Sequence, residues 1–512
     1  MSKALPERPD LEQLKKQAKD LLNEVRAGQA EAVARVGKED TAKFALNDAQ
    51  RVLAREYGFP SWAKLKLHVE TRELAIAGAR LVVAACNGDT ATLKALLAER
   101  PSLGQQTVSA AAALADLGAL QARVKLNPEF ARAKSGPCDT EALGYVCLGK
   151  LGGDEAARVA CAELLLKHGA DANATWFESE YKEGIRLPIL YAATGRSDYP
   201  RLAECLLTAG AKPNDGESIY HAAEKHHVKC LEALERAGAD FSARDPKWNN
   251  TALYFLLGWS PYAGSAKQAR AGIIWLLDHG ADPNVPSYER AEVPLHLAIQ
   301  VGWDIGMITH LLDRGTNPNA RRADGTSVLA FAVRAGRDDV VAFLRARGAA
   351  DDATAEDRFL GACAAGNADA AARLLREHPA WREQLAEEVA ALAHRSAQHG
   401  RLATIEVLAK LELPIDRPVA TGDGPLHMAA WHGQAAVVRR LIALGADLSR
   451  VEKQYQATPL GWCLHGSLNC RAPSGDYPAA AEALLAAGAK LPPPEYGYGS
   501  PEVTAVVQRY LK

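Results

Sequence analysis

The sequence predicts an all-α solenoid, in which pairs of short helices repeat along the chain and each pair ends in a polar loop. Three observations indicate this fold class. Residues 293–320 contain one complete helix-turn-helix unit, and a glycine followed by a small residue returns after later second helices. These glycines lie about 28 to about 43 residues apart, near the spacing of known helical repeats. A pair of this kind cannot bury its apolar face alone, so neighbouring pairs must stack.

The unit at residues 293–320 shows how each element is specified. Pro294 opens the first helix, because a proline in the first turn lacks an N–H that would have no partner there. Gly302 ends this helix and Gly315 ends the second one, which covers residues 305–312, since glycine readily adopts positive φ. The apolar face of the first helix comprises Leu295, Leu297, Ala298 and Val301.

The same signals recur through most of the chain. The terminal glycine returns at Gly169, Gly210, Gly238, Gly280, Gly315, Gly348, Gly445 and Gly488. The first-helix opening returns as GPLHMAA at residues 424–430 and as TPLG at residues 458–461. Over about residues 76–492 the chain therefore resembles the ankyrin-repeat family, whose units begin T-P-L-H-x-A and carry G-A-D after the second helix. The resemblance implies a helical array with finger loops between its units.

Residues 1–72 differ from the array and are predicted to form an N-terminal helical cap. Apolar residues follow a 3.6-residue period from Leu11 to Val25, a second helix runs from Asn47 to Gly58, and Ser61 is a candidate N-cap for a third. Residues 48–62 resemble the helical leader that often precedes such arrays in bacterial proteins, which favours a bacterial source. A partner-binding helical module is the alternative to a cap.

The array is assigned to residues 73–492, with about 12 units, and residues 493–512 to a C-terminal capping helix. Three units carry extra residues between their helices, at residues 149–157, 258–271 and 465–478. Insertions in solenoids map to loops on one face, which is often the binding face. Neutral variation in exposed turns is the alternative.

Composition and motifs exclude several classes of function. The chain has 512 residues and a formal net charge of −2, which predicts no electrostatic attraction to nucleic acid or to an anionic membrane. We expect a cytoplasmic protein, because the start has no apolar run and no stretch is long enough to span a bilayer. The nine cysteines lack zinc-ligand spacing, and no G-x-S-x-G or H-E-x-x-H string occurs, so neither cofactor nor metal is expected.

The family resemblance also implies where a partner would bind, namely the finger loops and the exposed positions of the first helices. The exposed positions of the first helices are occupied by Glu224, Lys225, Gln300, Arg334, Trp431 and His432. The fingers add Trp176, Tyr181, Trp248, Tyr288, Arg290 and Tyr455. Exposed aromatics with charged neighbours are typical of binding hot spots. The long finger at residues 173–186 has an alternative interpretation, a hairpin whose Trp176 and Phe177 fold back on the array.

We therefore expect a non-enzymatic scaffold or adaptor that binds a protein or peptide. The alternative is an enzyme or a small-molecule-binding protein, with a pocket between the inserted loops and elements bearing Trp259, Trp431 and His432. A deep cavity with titratable groups of perturbed pKa would favour the alternative. A third possibility is an oligomer formed through the N-terminal helices. The fold alone does not decide among them.

Overall fold

The structure, a computed structural model, describes residues 3–6, 9–37, 41–178, 184–245, 247–258, 266–288, 290–472, 474–493 and 497–511. The chain divides into two compact units. The first unit comprises Met1–Ser218 and Lys229–Gly238, and the second comprises Ile219–Val228 and Ala239–Lys512. Helices dominate both units, as the sequence predicts.

Up to residue 236 the elements are α1 (Leu11–Arg26), α2 (Ala30–Val36), α3 (Leu46–Glu56), α4 (Trp62–Asn87), α5 (Thr90–Glu99), α6 (Val108–Ala113), α7 (Leu117–Leu126), α8 (Ala142–Leu148), α9 (Glu155–Lys167), β1 (Thr175–Glu178), β2 (Ile185–Pro188), α10 (Ile189–Tyr191), α11 (Pro200–Thr208), α12 (Ser218–Glu224) and α13 (Val228–Arg236). Short 3₁₀ turns lie at Leu103–Gln105 and Pro128–Ala131, and a π-helical turn at Ala192–Arg196 follows α10.

The remaining helices are α14 (Ala252–Gly258), α15 (Ala266–Asp278), α16 (Pro294–Val301), α17 (Ile305–Asp313), α18 (Val328–Arg334), α19 (Asp338–Ala346), α20 (Ala355–Ala364), α21 (Ala368–Glu377), α22 (Trp381–Gln384), α23 (Ala386–Gln398), α24 (Leu402–Lys410), α25 (Pro425–Trp431), α26 (Ala435–Ala443), α27 (Pro459–Asn469), α28 (Tyr477–Ala486) and α29 (Pro501–Gln508).

The helical start of the chain forms as its sequence signals predict. The Asp10 carboxylate accepts from the backbone N–H groups of Glu12 and Gln13 at the start of α1, and the Ser61 hydroxyl accepts from that of Lys64 at the start of α4. Two small cores lie among α1 to α4, one around Leu14 and the other around Val25. The α4 helix continues through residue 72, where the sequence places the end of the cap.

One finger of the first unit is a β-hairpin, an exception to the all-α prediction. Strands β1 and β2 pair antiparallel, with Trp176 opposite Leu187. The Phe177 N–H donates to the Cys138 carbonyl and the Trp176 side chain is 1% exposed. Trp176 therefore lies in the core and not at the surface. The aromatic and β-branched residues of the strands favour extended backbone, which explains why a finger in a helical array forms a sheet.

In the second unit the helix pairs stack in order. Successive first helices contact one another in the series α14, α16, α18, α20, α23, α25 and α27. Second helices do the same from α17 to α19 and from α24 through α26 to α28. The glycines between and after the helices adopt positive φ, as at Gly302 and Gly315, both with φ of 92°. This arrangement is the stacking that the repeated sequence predicts.

Asparagines in the loops connect each pair to the next. The Asn284 amide donates to the Gly315 carbonyl, and its oxygen accepts from the Asn317 N–H. Asn319 bonds one unit further along in the same way, to the Gly348 carbonyl and the Ala350 N–H. Because one side chain satisfies a donor and an acceptor in the following loop, consecutive loops are fixed at one spacing.

Candidate functional site

A cavity of about 150 Å³ lies in the second unit. Its lining combines two finger loops with the first helices α16, α18, α20 and α23. The cavity lies on one surface of these four helices, and we call this surface the first-helix face. The lining residues are Arg290, Ile299, Gln300, Arg322, Phe331, Arg334, Ala335, Leu360, Glu388, Ala391, Leu392, Arg395, Ser396, His399 and Arg401.

The stacking of consecutive units brings these residues together from distant parts of the sequence. Gln300 and Arg334 occupy the last turns of α16 and α18, two helices that contact each other. The fingers lie side by side, since the Ala323 N–H donates to the Arg290 carbonyl. The α23 helix is 13 residues long, against 8 for α16, so it reaches the same surface with two of its turns.

Positive charge dominates the lining, but part of it is balanced. Arg334 donates from Nε to the Asp357 carboxylate at 2.7 Å. The Nη2 atom of Arg322 lies 3.0 Å from a carboxylate oxygen of Glu292. Both acidic side chains are buried, so these pairs position two of the arginines at the cavity.

Arg395 and Arg290 have no such balance. Neither guanidinium makes an ion pair or a hydrogen bond with the residues that the structure describes. The pKa of Arg395 is lowered, first by burial and then by the positive charges of Arg401, Arg334, Arg290 and Arg322. Arg395 is nonetheless solvent-accessible. The lowered pKa and the exposure are compatible if protein surrounds most of the Arg395 side chain while its guanidinium end reaches the water of the cavity. An arginine remains charged at neutral pH even so.

Two neutral groups complete the polar lining. The Ser396 side chain is 1% exposed, and its hydroxyl has no hydrogen-bond partner among the residues with described positions. His399 has its pKa lowered to about 4 by burial and by the charge of Arg401. At neutral pH the imidazole is therefore uncharged, so the excess positive charge of the site comes from its arginines.

The arrangement is suited to binding an anionic group. Guanidinium groups donate hydrogen bonds in a planar fork that matches carboxylate and phosphate oxygens. The cavity is smaller than the roughly 300–1,000 Å³ of sites that enclose a drug-sized ligand. It therefore fits a single side chain or head group, and the described lining residues include none from the three inserted loops.

The structure brings three residues predicted from the sequence to this cavity, Arg290, Gln300 and Arg334. Three predicted aromatics lie on exposed finger loops of the second unit outside the lining. Trp248 is 66% exposed, Tyr288 76% and Tyr455 70%. The Lys247 ammonium lies 4.8 Å from the centroid of the Trp248 ring.

The other predicted residues have different surroundings. Trp176 stacks on Tyr191 with 5.6 Å between ring centroids, so its buried ring supports the hairpin. Glu224 is half-buried and lies 2.7 Å from the His221 imidazole, whereas Lys225 is exposed. Tyr181 and Trp259 fall outside the described residues.

Trp431 and His432 belong to a half-buried aromatic group on α25 and α27. The Trp431 ring is 5.7 Å from Trp462 and 5.4 Å from His465, measured between centroids. The Nδ1 atom of His432 is 3.4 Å from the Cys470 sulfur. Burial lowers the His432 pKa to about 4, which makes its imidazole too weak a base to activate the thiol at neutral pH.

Sequence reasoning missed Arg322, Arg395, Ser396 and Arg401. Arg322 lies in a finger and Arg401 follows the glycine after α23, so neither occupies a first-helix position. Arg395 lies five residues before Gly400, whereas Gln300 and Arg334 each lie two residues before the glycine that follows their helix. The cluster of basic residues in the segment HRSAQHGR at residues 394–401 was the available signal.

Comparison with known proteins adds a family assignment for part of the chain. Residues 391–442 match the family model described as ankyrin repeats in many copies. This segment includes Arg395, Ser396, His399 and Arg401 on the cavity lining.

Three curated relatives match longer stretches of this chain, of 210, 154 and 187 residues. Inversin from Mus musculus is 31% identical over 210 residues, 40% of this chain and 17% of that protein. Alpha-latrotoxin-Lt1a from Latrodectus tredecimguttatus is 28% identical, covering 30% of this chain and 10% of the toxin. SH3 and multiple ankyrin repeat domains protein 2 from Homo sapiens is 26% identical, and the match covers 34% of this chain and 10% of that protein. The matches thus span at most about a sixth of these relatives.

Among solved structures, the human ASB11 ankyrin repeat domain is 24% identical and covers 48% of this chain and 98% of that domain, with a TM-score of 0.33. A superposition this weak does not bear on the fold. The family match rests on sequence and identifies ankyrin repeats in this chain, at residues 391–442.

Proposed function

We propose that this chain is a non-enzymatic scaffold that binds a protein or peptide through the first-helix face and the finger loops of its second unit. The observation that carries the proposal is the cavity on this face, where Arg290 and Arg395 expose guanidinium groups that have no ion-pair partner in the described part of the chain. Unpaired arginines at a concave surface are suited to recognition, because the binding partner can supply the missing acceptors.

The finger loops support the same role. Trp248, Tyr288 and Tyr455 expose most of their side chains, and large aromatics supply contact area at low cost in conformational entropy. The resemblance to ankyrin repeats also implies that partners meet fingers and first helices. A stack of helix pairs presents these groups in fixed positions, so little order has to be created on binding.

The enzyme alternative has weaker support in the described part of the chain. The cavity is small, and its imidazole, His399, has a pKa of about 4, far below that of an effective base at neutral pH. The Cys470 and His432 pair has the same weakness. We therefore favour recognition over catalysis.

Site-specific photo-crosslinking tests the proposal. Benzoylphenylalanine is placed at Gln300, on the first-helix face, and in a matched variant at Glu377, an exposed residue of the second helix α21. Both variants are irradiated in lysate of the source organism, and the adducts are identified by mass spectrometry. We expect a defined protein adduct from the Gln300 position that is absent from the Glu377 position. Identical adducts from both positions, or none from Gln300, would contradict the proposal.

A further inference from the structure

The arginine-lined cavity has an excess of positive charge that the described residues do not neutralise. Arg334 and Arg322 have acidic partners, but among the described residues Arg395 and Arg290 have none, and the Glu388 carboxylate on the lining makes no ion pair with any of the four. Like charges held close together repel, and the repulsion is strongest where protein displaces water. An anion in the cavity would relieve it.

The hydrogen-bonding groups point to the same ligand chemistry. The Arg395 and Arg290 guanidinium groups have no acceptor among the described residues, and both side chains are exposed to solvent. The guanidinium groups are donors only. This set of donors therefore favours a ligand that offers several acceptor oxygens and no donors. Carboxylate and phosphoryl groups are of this kind.

The size and the apolar part of the lining favour a group attached to a peptide. A cavity of about 150 Å³ holds one side chain, and Ile299, Phe331 and Leu392 on its lining can contact the carbon atoms of that side chain. Nucleic acid is a weaker fit, because it requires a row of cationic contacts along its backbone, and here five arginines line one small cavity together with Glu388.

We infer that this cavity binds one anionic side chain, a carboxylate or a phosphoryl group, of a partner peptide, with Arg395 and Arg290 as the principal donors. The inference rests on the proposed scaffold function and names the partner chemistry. Arg322 and Arg334, already held by buried carboxylates, add fixed positive charge to the lining.

Peptide binding to the full chain tests the inference. Three pools of fluorescein-labelled nonapeptides have the same randomised flanks, with Glu, phosphoserine or Gln at the central position. We expect fluorescence anisotropy at about 0.15 M salt to show at least about tenfold tighter binding of the Glu or the phosphoserine pool than of the Gln pool. The ranking of Glu against phosphoserine distinguishes a carboxylate ligand from a phosphoryl ligand.

Paired variants locate the effect. The double substitution Arg290→Gln with Arg395→Gln should remove the preference for the anionic pools. The control is Arg376→Gln with Arg439→Gln, which changes the net charge equally at two exposed arginines of second helices and should retain the preference. Far-UV circular dichroism and thermal melts verify that all variants fold.

Several outcomes would overturn the inference. It fails if the Gln pool binds as tightly as the others, if both double variants lose the preference equally, or if an oligothymidylate of similar length binds more tightly than any peptide. In each case a Gln300-specific crosslink would still support the scaffold. If no pool binds and that crosslink is absent as well, the proposed function fails together with the inference.

Discussion

At the residue scale, Asp357 shows how a buried carboxylate orients a residue of the candidate site. Its side chain accepts from the Thr354 backbone N–H at 2.9 Å and from Arg334 Nε at 2.7 Å. The carboxylate therefore caps α20 and holds Arg334 at the cavity at the same time. Asp357 therefore contributes both to the stability of α20 and to the position of Arg334 at the candidate site.

Removing the arginine should leave that carboxylate partly unsatisfied. We expect Arg334→Ala to lower the free energy of unfolding by about 1–2 kcal/mol, because Asp357 loses a charge-assisted hydrogen bond while remaining buried. Urea denaturation followed by circular dichroism measures the change. Arg345→Ala is the control, since it breaks an exposed pair with Asp351 and should cost at most about 1 kcal/mol. Equal effects of the two substitutions would disprove the role of Asp357.

A second buried carboxylate gives a prediction about pH. Burial opposes the ionisation of Asp423, but hydrogen bonds from His394, at 2.5 Å, and from Thr421 outweigh it and lower its pKa to about 2. A lowered pKa in the folded state adds stability above the ordinary value of 3.8, and this contribution is lost as the pH falls towards 2. The stability difference between wild type and Asp423→Asn should therefore shrink between pH 5 and about pH 2. Urea titrations across this range test it, and a constant difference would contradict the assignment.

At the element scale, the β-hairpin depends on one buried ring. Trp176 packs inside the first unit, whereas its neighbour Phe177 is 39% exposed. We expect Trp176→Ala to destabilise the protein by about 3–5 kcal/mol because it leaves a large cavity, and Phe177→Ala to cost much less. Thermal unfolding of the two variants provides the comparison. A similar loss in both would show that the hairpin does not bury Trp176.

The α25 helix depends on a buried histidine in its first turn. His427 accepts from the Gly424 N–H, and its other ring nitrogen lies 3.1 Å from the Arg450 carbonyl and 3.3 Å from that of Ala457. The ring thus connects the start of α25 to the next finger. We expect His427→Ala to cost about 1–3 kcal/mol, because buried backbone groups lose their partners. Equilibrium denaturation measures it, and His465→Ala on α27 is a control without those bonds.

The elements also show what local sequence could and could not predict. Pro294, Gly302 and Gly315 act through their own backbone geometry, so the helix boundaries around them follow from the sequence. The cavity depends on how far apart stacked units place Arg290 and Arg395, and on a long α23, neither of which is a local property. The sequence leaves the hairpin as one of two interpretations of the finger at residues 173–186, because tertiary packing determines whether Trp176 is exposed or buried. The bacterial source, the N-terminal cap and the cytoplasmic location stay predictions.

At the scale of the whole molecule, we expect each helix pair of the second unit to be stabilised mainly by packing against the pairs beside it. The terminal helix α29 packs on α28, where Val503, Val506 and Val507 are buried in a core that extends back to α20. In a linear stack each unit contacts only those beside it. Deletion of residues 497–512 should therefore speed amide hydrogen exchange in α27 and α28 and leave α16 and α18 unchanged. A uniform increase along the second unit would indicate a cooperative globular core instead.

The asparagine bonds between consecutive loops have a consequence for how such a protein changes over evolutionary time. Asn284 and Asn319 fix the spacing of consecutive loops from positions four residues after Gly280 and Gly315, and the cavity-lining Arg290 and Arg322 lie further along these fingers. Within the fingers, the residues that fix the spacing are thus different from Arg290 and Arg322, which line the cavity. Mutations can change the residues at the tip of a finger, or lengthen the finger, while the asparagine hydrogen bonds at its base keep their geometry. New specificity then arises one finger at a time, without a new fold for each partner.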